Sequence, residues 1–180
     1  NDTTSEQGCK VIVLVGNTGA GKSTVGSMLS RSTQLQVSDG LMPVTQGVAY
    51  VDFFANVDGT NQRFRVIDTA GFLDNSVNGQ AERSRFPQFW HLCPQGCVHA
   101  FLFVVAFRRP VQTHDVYATL QRICGTEVRQ HVAVVLTHAN RVIQLDDQQL
   151  QSQLAGTQDP DIQELCHAGF RFIAVEEQSN

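Results

Sequence analysis

Residues 16–24, GNTGAGKST, have the Gly-x-x-x-x-Gly-Lys-Ser spacing that is typical of a phosphate-binding loop. Glycines allow the backbone N–H groups of such a loop to wrap closely around a β-phosphate. Lys22 is expected to reach the β- and γ-phosphates, and the Ser23 hydroxyl is expected to bind Mg²⁺. The segment therefore predicts a nucleotide-binding loop with Mg²⁺ as cofactor, made of Gly16, Asn17, Thr18, Gly19, Ala20, Gly21, Lys22, Ser23 and Thr24.

A second polar motif, DTAG at 68–71, follows an apolar run and completes the predicted metal and γ-phosphate site. Asp68 is expected to hold Mg²⁺, usually through water, and the Gly71 N–H can face the γ-phosphate. Between the two motifs, Thr45 is the preferred hydroxyl for a switch that reaches Mg²⁺ only when the γ-phosphate is present. Thr33 and Thr60 are poorer choices, because one ends the first predicted helix and the other lies in a predicted turn. The predicted metal-binding residues are Ser23, Thr45 and Asp68.

The residue after DTAG is Phe72, where many GTPases place a glutamine that orients the attacking water. Phenylalanine cannot hydrogen-bond to water, so slow intrinsic hydrolysis is expected. An arginine supplied by a neighbouring molecule could stabilise the developing negative charge. FRRP at 107–110 offers such a group, and the alternative is a pair of solvent-exposed loop arginines. The predicted catalytic residues are Arg109, Arg108 and Thr45.

The stretch LTHAN at 136–140 stands where a guanine-specific site usually has Asn/Thr-Lys-x-Asp. A carboxylate accepts both guanine N1–H and N2–H₂, whereas the Asn140 amide fits that edge less well and could pair with adenine instead. Glu176, or secondly Glu177, is predicted to take over the guanine edge, with His138 stacked on the purine. The alternatives are a polar loop histidine and a solvent-exposed acidic tail.

His91, Cys93, Cys97 and His99 lie within nine residues and could suggest a zinc site. The Cys-x₃-Cys spacing is unusual for zinc, with a proline and a glycine between the cysteines. His99 and Cys97 also open a buried strand, where neighbouring side chains point to opposite faces, and a structural zinc site needs all four ligands to converge. Zinc binding is therefore not the favoured interpretation.

The chain has 180 residues, 42% of them hydrophobic, and a net charge of −4. This length suits one domain with a substantial core, and the acidic balance argues against nucleic acid as a partner. Five cysteines without a secretory signal favour a reduced, cytoplasmic setting. No apolar run reaches the roughly 18 residues that span a bilayer, so membrane contact is expected only through segments outside this chain.

Strand-like and helix-like stretches alternate along the chain. Strands are predicted at 10–15, 48–57, 63–67, 98–106, 132–136 and 170–175, with a hairpin turn at DGTN, 58–61. Helices are predicted after the phosphate loop, at about 80–92, around a stripe at 116–123, and at 146–155 and 161–168. This order predicts a single α/β domain, 1–180, of the Ras-like P-loop type. We expect a mostly parallel six-stranded sheet with one antiparallel edge strand and helices on both faces. A final helix is expected to have been trimmed or to follow beyond Asn180.

The segments GNTGAGKSTVGSML, DTAGF, LTHAN and above all residues 96–125 resemble the GIMAP family, the GTPases of immunity-associated proteins. They are also similar to the import-receptor GTPases of the chloroplast outer envelope. The resemblance implies a septin-like GTPase domain that dimerises across its nucleotide-binding faces and often carries a C-terminal helical extension or membrane anchor. The chain departs from the GIMAP pattern at THAN and at Glu176 and Glu177, where the family commonly has Arg-Lys-x-Asp and Asn.

Three functions remain open at this stage. The preferred one is a GTP- and GDP-binding switch that hydrolyses GTP slowly and forms a homodimer or oligomer. The second is a non-enzymatic scaffold, in which bound GTP orders the switch segments and creates a binding surface without useful turnover; Phe72 favours this function. The third is an ATPase, which Asn140 favours. The expected location is the cytoplasm, or the cytosolic face of a membrane for a longer form of the protein.

Overall fold

The computed structural model describes residues 8–30, 36–37, 48–69, 86–107, 113–139 and 145–175. Within these residues seven strands form one sheet. The strands are β1 (Lys10–Val15), β2 (Gln36–Val37), β3 (Val48–Val57), β4 (Thr60–Thr69), β5 (Ala100–Ala106), β6 (Val132–Thr137) and β7 (Arg171–Ala174).

The sheet has the order β2-β3-β4-β1-β5-β6-β7. Neighbouring strands from β4 to β7 pair in parallel, whereas β3 is antiparallel to β4 and β2 is antiparallel to β3. The predicted α/β fold with a mostly parallel sheet is confirmed. The difference is at one edge, where the two-residue β2 pairs with β3 and adds a seventh strand outside the predicted edge. Two residues are too few to produce a readable hydrophobic period.

Four α-helices lie within the described ranges: α1 (Lys22–Ser30), α2 (Thr113–Cys124), α3 (Asp147–Ala155) and α4 (Pro160–His167). The predicted helix at about 80–92 differs. Residues 86–92 form a 3₁₀ helix, followed by a short one at Pro94–Gly96, and residues 80–85 lie outside the described part. Pro87 and Pro94 lack the N–H that would extend an α-helix through this stretch, and their rings would clash with the preceding turn.

The β3–β4 hairpin has a tighter turn than DGTN predicts. Only Asp58 and Gly59 form the turn, with φ of +50° and +80°, and Thr60 already pairs with Val57. Two consecutive residues with positive φ are typical of a type I′ turn, whose twist matches that of the flanking strands. The Asn56 side chain accepts a hydrogen bond from the Gly59 N–H at 3.0 Å. β4 therefore begins three residues earlier than predicted.

The core has two parts because alternate residues of each strand face opposite sides of the sheet. On one side, odd-numbered residues of β1 and β5 pack against residues of α2, α3 and α4, such as Leu120, Leu154 and Ile162. On the other side, Leu14 and Val104 pack against Val25 of α1. Helices thus cover both faces, and no helix in the described ranges is long and apolar enough to cross a membrane.

Candidate functional site

The loop of residues 16–21 runs from the end of β1 to the start of α1, at the edge where the parallel strands end. Gly16 has a φ of +150°, and a Cβ atom there would lie 2.3 Å from the Val104 carbonyl oxygen of β5. Gly21 has a φ of +89°, and its Cβ would lie 3.1 Å from the Thr137 methyl group of β6. Glycine at both ends therefore lets the loop pack directly onto two strands.

Lys22 lies at the first position of α1 with only 7% of its surface exposed. Its Nζ donates hydrogen bonds to the carbonyl oxygens of Gly16 at 3.1 Å and Asn17 at 2.9 Å. Both acceptors belong to the loop, so the ammonium group is held against the concave backbone that would surround a phosphate. An ammonium group in this position can form charge-assisted hydrogen bonds with phosphate oxygens.

Ser23 and Asp68 meet at the same edge although 45 residues separate them. The Ser23 Oγ donates a hydrogen bond of 2.5 Å to Asp68 Oδ2. Burial raises the pKa of Asp68 above its ordinary value, against the opposing effects of the Ser23 hydrogen bond and the positive charge of Lys22. The β4 strand therefore ends in a carboxylate that is desolvated and close to the phosphate-binding loop.

The oxygen atoms of this pair fit a magnesium ion. Mg²⁺ prefers oxygen ligands, keeps several waters and is usually held by one or two side chains together with phosphates. Asp68 Oδ1 is buried and has no hydrogen-bond partner among the described residues, while Oδ2 is the atom bonded to Ser23. A cation or its water would satisfy an acceptor that is otherwise unpaired in the interior.

Replacing Asp68 with asparagine is expected to stabilise the nucleotide-free protein at neutral pH. The folded-state pKa of Asp68 is raised, so ionisation of this carboxyl opposes folding once the pH rises above its unfolded pKa. Chemical unfolding at several pH values should show the gain at pH 7 and its loss at acidic pH. The same variant should bind GTP at least about tenfold more weakly in Mg²⁺, because the metal ligand is gone.

Asp52→Asn is the matched control for this prediction, since its charge acts in the opposite direction. Burial alone raises the pKa of Asp52, but the hydrogen bonds and charges of Arg65 and Arg63 outweigh it and hold the pKa below its ordinary value. Asp52→Asn should therefore destabilise the protein at neutral pH, and the loss should vanish as the pH falls through the folded pKa. If both variants shift stability in the same direction, the assigned sign for Asp68 is wrong.

Two buried threonines, which the sequence did not single out, hold the loop and the end of β1 in place. The Thr137 Oγ1 donates to the carbonyl oxygen of Ala20 at 2.7 Å, and the Thr69 Oγ1 donates to that of Leu14 at 2.7 Å. Thr137 is fully buried and Thr69 is 4% exposed. A hydroxyl at the end of an apolar strand needs a partner when buried, which is the sequence signal that could have identified both residues.

His138 follows Thr137 directly and is exposed, with a φ of +54°. Positive φ is uncommon for a residue with a side chain and marks a sharp change of chain direction at the end of β6. Ala139 is fully buried beside it. This turn directs the His138 side chain to solvent at the same sheet edge as the phosphate-binding loop.

The structure brings together one subset of the predicted site residues. Gly16 to Thr24 form the loop and the start of α1, and Asp68 lies against Ser23. The exposed residues of this range are Thr18, Gly19, Ser23 and Thr24. The remaining predicted residues lie outside the described ranges, and their roles stay predictions. They are Thr45, Gly71, Arg108, Arg109, Asn140, Glu176 and Glu177, together with Phe72.

The His and Cys residues of 91–99 lie within the described part, where no group of three or more His, Cys, Asp or Glu side chains could hold a metal ion. His99 Nδ1 accepts a hydrogen bond from the Val11 N–H at 3.1 Å, and the Cys93 thiol donates to the Phe89 carbonyl. Burial raises the pKa of Cys93 to about 11, which disfavours the thiolate that zinc requires. His99 and Cys93 therefore make contacts with the backbone.

Comparison with known proteins gives one family and one fold. A family model described as the AIG1 family matches residues 10–180. Immune-associated nucleotide-binding protein 8 of Arabidopsis thaliana is 31% identical over 172 residues, which are 93% of this chain and 47% of that protein. The chain spans less than half the length of the curated relatives it matches.

Two solved structures share the fold. Toc33 from Arabidopsis thaliana, in complex with Mg²⁺ and GMPPNP, has a TM-score of 0.61 and 16% identity, and covers 96% of this chain and 72% of its own. A structure of chloroplast translocon components, atToc33 and psToc159, has a TM-score of 0.58 and 17% identity over 92% and 69% of the two chains. Dimerization is described as important for the GTPase activity of those components.

Proposed function

Because the chain belongs to the AIG1 family, in agreement with the resemblance expected from its motifs, we propose that it is a guanine-nucleotide-binding domain that hydrolyses GTP slowly. One observation carries the proposal: Lys22, Ser23 and Asp68 converge on a glycine loop at the end of β1. That arrangement can hold a nucleoside di- or triphosphate at the N-terminus of α1, where the positive end of the helix dipole also attracts anions.

In the proposed complex, Ser23 and Asp68 would hold Mg²⁺, which would supply positive charge to neutralise the phosphates. Lys22 keeps its ammonium group on the loop backbone and donates to the same phosphates. The loop backbone supplies N–H donors at fixed positions, because Gly16 and Gly21 seat it on β5 and β6. Thr45 and Gly71 are the proposed contacts that depend on the γ-phosphate.

Competition binding tests the nucleotide class. A fluorescent GDP analogue bound to the protein in Mg²⁺ should be displaced by GTP and GDP at concentrations at least about tenfold lower than those needed for ATP. Equal competition by ATP would favour the ATPase interpretation that Asn140 suggests. Failure of every purine nucleotide to compete would remove the nucleotide-binding proposal itself.

We further propose that Glu176, or secondly Glu177, reads the guanine edge, with His138 on the purine face. The support is the exposure of His138 at the sheet edge that holds the phosphate-binding loop, and the acceptor chemistry of a carboxylate. Glu176→Ala should reduce the preference for GTP over ATP by at least about tenfold, since a site built for guanine N1–H and N2–H₂ loses its acceptor. The measurement is the ratio of dissociation constants for the two nucleotides.

Glu177→Ala serves as the matched variant for that test, because it removes a neighbouring carboxylate of the same length. Loss of selectivity in only one of the two variants identifies the residue that reads the base. Full selectivity in both variants contradicts the proposal and directs attention to Asn140.

Dimerisation through the nucleotide-binding face is the proposed route to hydrolysis. Phe72 cannot orient water, and Arg109 (or Arg108) from a second molecule could supply the missing positive charge. Turnover per molecule should rise with protein concentration and approach a plateau, and Arg109→Ala should remove the rise. The measurement is phosphate release at fixed GTP over a hundredfold range of protein concentration, with Arg108→Ala as the matched variant.

Phe72 also favours a second function, a nucleotide-gated scaffold that orders its switch segments on GTP without useful turnover. Phosphate release that stays undetectable at every protein concentration supports the scaffold and contradicts the hydrolysing dimer.

For location and partners, we propose a cytoplasmic protein that assembles with copies of itself. Membrane contact would come through segments outside the 180 residues, and nucleic acid is not a proposed partner.

A further inference from the structure

A cavity of about 710 Å³ lies at the sheet edge opposite the phosphate-binding loop. It is formed where β5, β6 and β7 begin, together with the turns that lead into β6 and β7. We refer to it as the basic groove, and its polar side chains are those of His99, Arg129, Gln130, His131 and Arg171. Its volume is within the range of small-molecule sites.

The basic groove is separate from the nucleotide site. Val132, at the start of β6, lines the groove, whereas Thr137, at the end of the same strand, contacts the phosphate-binding loop. The five residue steps between them span about 17 Å at the usual rise of a strand. One ligand could therefore occupy the groove while another occupies the loop.

Arg129 is held in a defined position on one side of the groove. Its guanidinium carbon lies 5.8 Å from the centre of the Phe170 ring, a cation–π distance, and Phe170 is 3% exposed. Gly169 has a φ of +73°, and a Cβ there would lie 3.2 Å from Arg129 Nη2. The glycine thus leaves room for the guanidinium beside the backbone. Because the ring and the backbone already restrict this group, it loses little further conformational entropy when a ligand binds.

Arg171 supplies a second guanidinium from the first residue of β7. Among the described residues, neither Arg129 nor Arg171 has a carboxylate within ion-pair distance, in contrast to Arg63 and Arg65, which both pair with Asp52. Glu127, in the same turn as Arg129, accepts a hydrogen bond from the Gln130 amide instead. Arg129 and Arg171 are both exposed, so two guanidinium groups without a described carboxylate partner line one cavity in a chain of net charge −4.

The two histidines of the groove hold defined tautomers, and His99 adds a directed N–H donor. The Val11 N–H donates to His99 Nδ1, so the neutral His99 ring carries its proton on Nε2. Since a carbonyl oxygen can only accept, His131 Nδ1 is the donor to the His99 carbonyl at 3.3 Å. In the neutral ring His131 Nε2 is then an acceptor, so the donor that the two histidines leave for a ligand is His99 Nε2.

From these contacts we infer that the basic groove binds a small anion carrying two or more phosphate groups. The planar guanidinium fork matches phosphate oxygens in pairs, and two such forks on one cavity suit a ligand with at least two phosphates. The ligand is either a soluble polyphosphorylated metabolite or the head group of a phosphorylated lipid, which present the same chemistry.

Calorimetric titration with inositol 1,4,5-trisphosphate tests the inference on the 180-residue chain. Binding with one site per chain is expected, and Arg129→Gln combined with Arg171→Gln should weaken it at least about tenfold. Arg63→Gln removes one positive charge from β4, whose residues do not line the groove, and should leave the affinity unchanged. Lys22→Met disables the phosphate-binding loop and should also leave it unchanged, and thermal unfolding of each variant checks that it folds.

The outcomes separate the alternatives. Weakening by Lys22→Met to the same extent as by the double variant places the anion in the phosphate-binding loop and overturns the inference, as does equal weakening by Arg63→Gln or no binding at all. Vesicles of phosphatidylcholine with and without phosphatidylinositol 4,5-bisphosphate distinguish the source. Binding to both the trisphosphate and the phosphorylated vesicles assigns a lipid head group, and binding to the trisphosphate alone assigns a soluble metabolite.

Discussion

Lys22→Met is expected to weaken GDP and GTP binding at least about a hundredfold, the largest effect on affinity of any single substitution in the site. Lys22 is only 7% exposed, and its ammonium group donates to the loop carbonyls of Gly16 and Asn17, where it already lies beside the predicted phosphate position. Charge-assisted hydrogen bonds contribute about 1.5–3 kcal/mol each, and Lys22 is expected to make two. Methionine keeps most of the aliphatic stem and removes only the charge and the donors.

Lys10→Met is the matched control, because Lys10 is the only other lysine of the chain and lies at the opposite end of β1. Equilibrium titration of a fluorescent nucleotide measures both variants, and nucleotide-free thermal unfolding checks their folding. Lys10→Met should bind nucleotide as the unmodified protein does. An affinity loss below about tenfold in Lys22→Met would mean that the phosphates lie elsewhere.

The central strands could be predicted from the sequence because their composition is compatible with few other kinds of secondary structure. Runs such as KVIVLV and AFLFVVA are β-branched or aromatic, are too short for helices, and are buried on both faces of a parallel sheet. Elements that form only by pairing with residues distant in the sequence could not be predicted in this way. The two residues of β2 become a strand only by pairing with Tyr50 and Ala49, and no local pattern encodes that pairing.

The residues of the candidate site show the same difference between local and distant sequence signals. Gly16 to Ser23 were predictable, since the loop chemistry is encoded in consecutive residues and their spacing. Thr137 and Thr69 were not, because each donates to a carbonyl that is 117 or 55 residues away in the chain. Their role becomes visible only when the sheet order places β6 and β4 beside the loop. The basic groove is a further case, since Arg129 and Arg171 meet only through the β6–β7 pairing.

The close contact between the phosphate-binding loop and β5 makes a substitution of Gly16 the change with the largest expected effect on stability. A methyl group on Gly16 would lie 2.3 Å from the Val104 carbonyl oxygen and 3.3 Å from its carbon, both of them backbone atoms. Val104 is fully buried on a strand that is paired with β1 on one side and β6 on the other, so the carbonyl cannot move away without disturbing two ladders. Gly16→Ala should therefore lower the free energy of unfolding by about 3 kcal/mol or more.

Gly59→Ala separates this clash from the strain of a positive φ. Gly59 has a φ of +80° in the β3–β4 turn, but a Cβ there would meet no atom within 4 Å, so only the conformational strain of about 1–2 kcal/mol should remain. Urea unfolding of both variants gives the comparison, and a Gly16→Ala protein that fails to accumulate in folded form agrees with the larger loss. If Gly16→Ala is no less stable than Gly59→Ala, the Val104 backbone can move away from the added methyl group and the prediction is wrong.

The same pair of variants should also differ in nucleotide binding. Because the clash displaces the loop that carries the phosphate-binding N–H groups, a folded Gly16→Ala protein should lose nucleotide affinity, whereas Gly59→Ala should keep it.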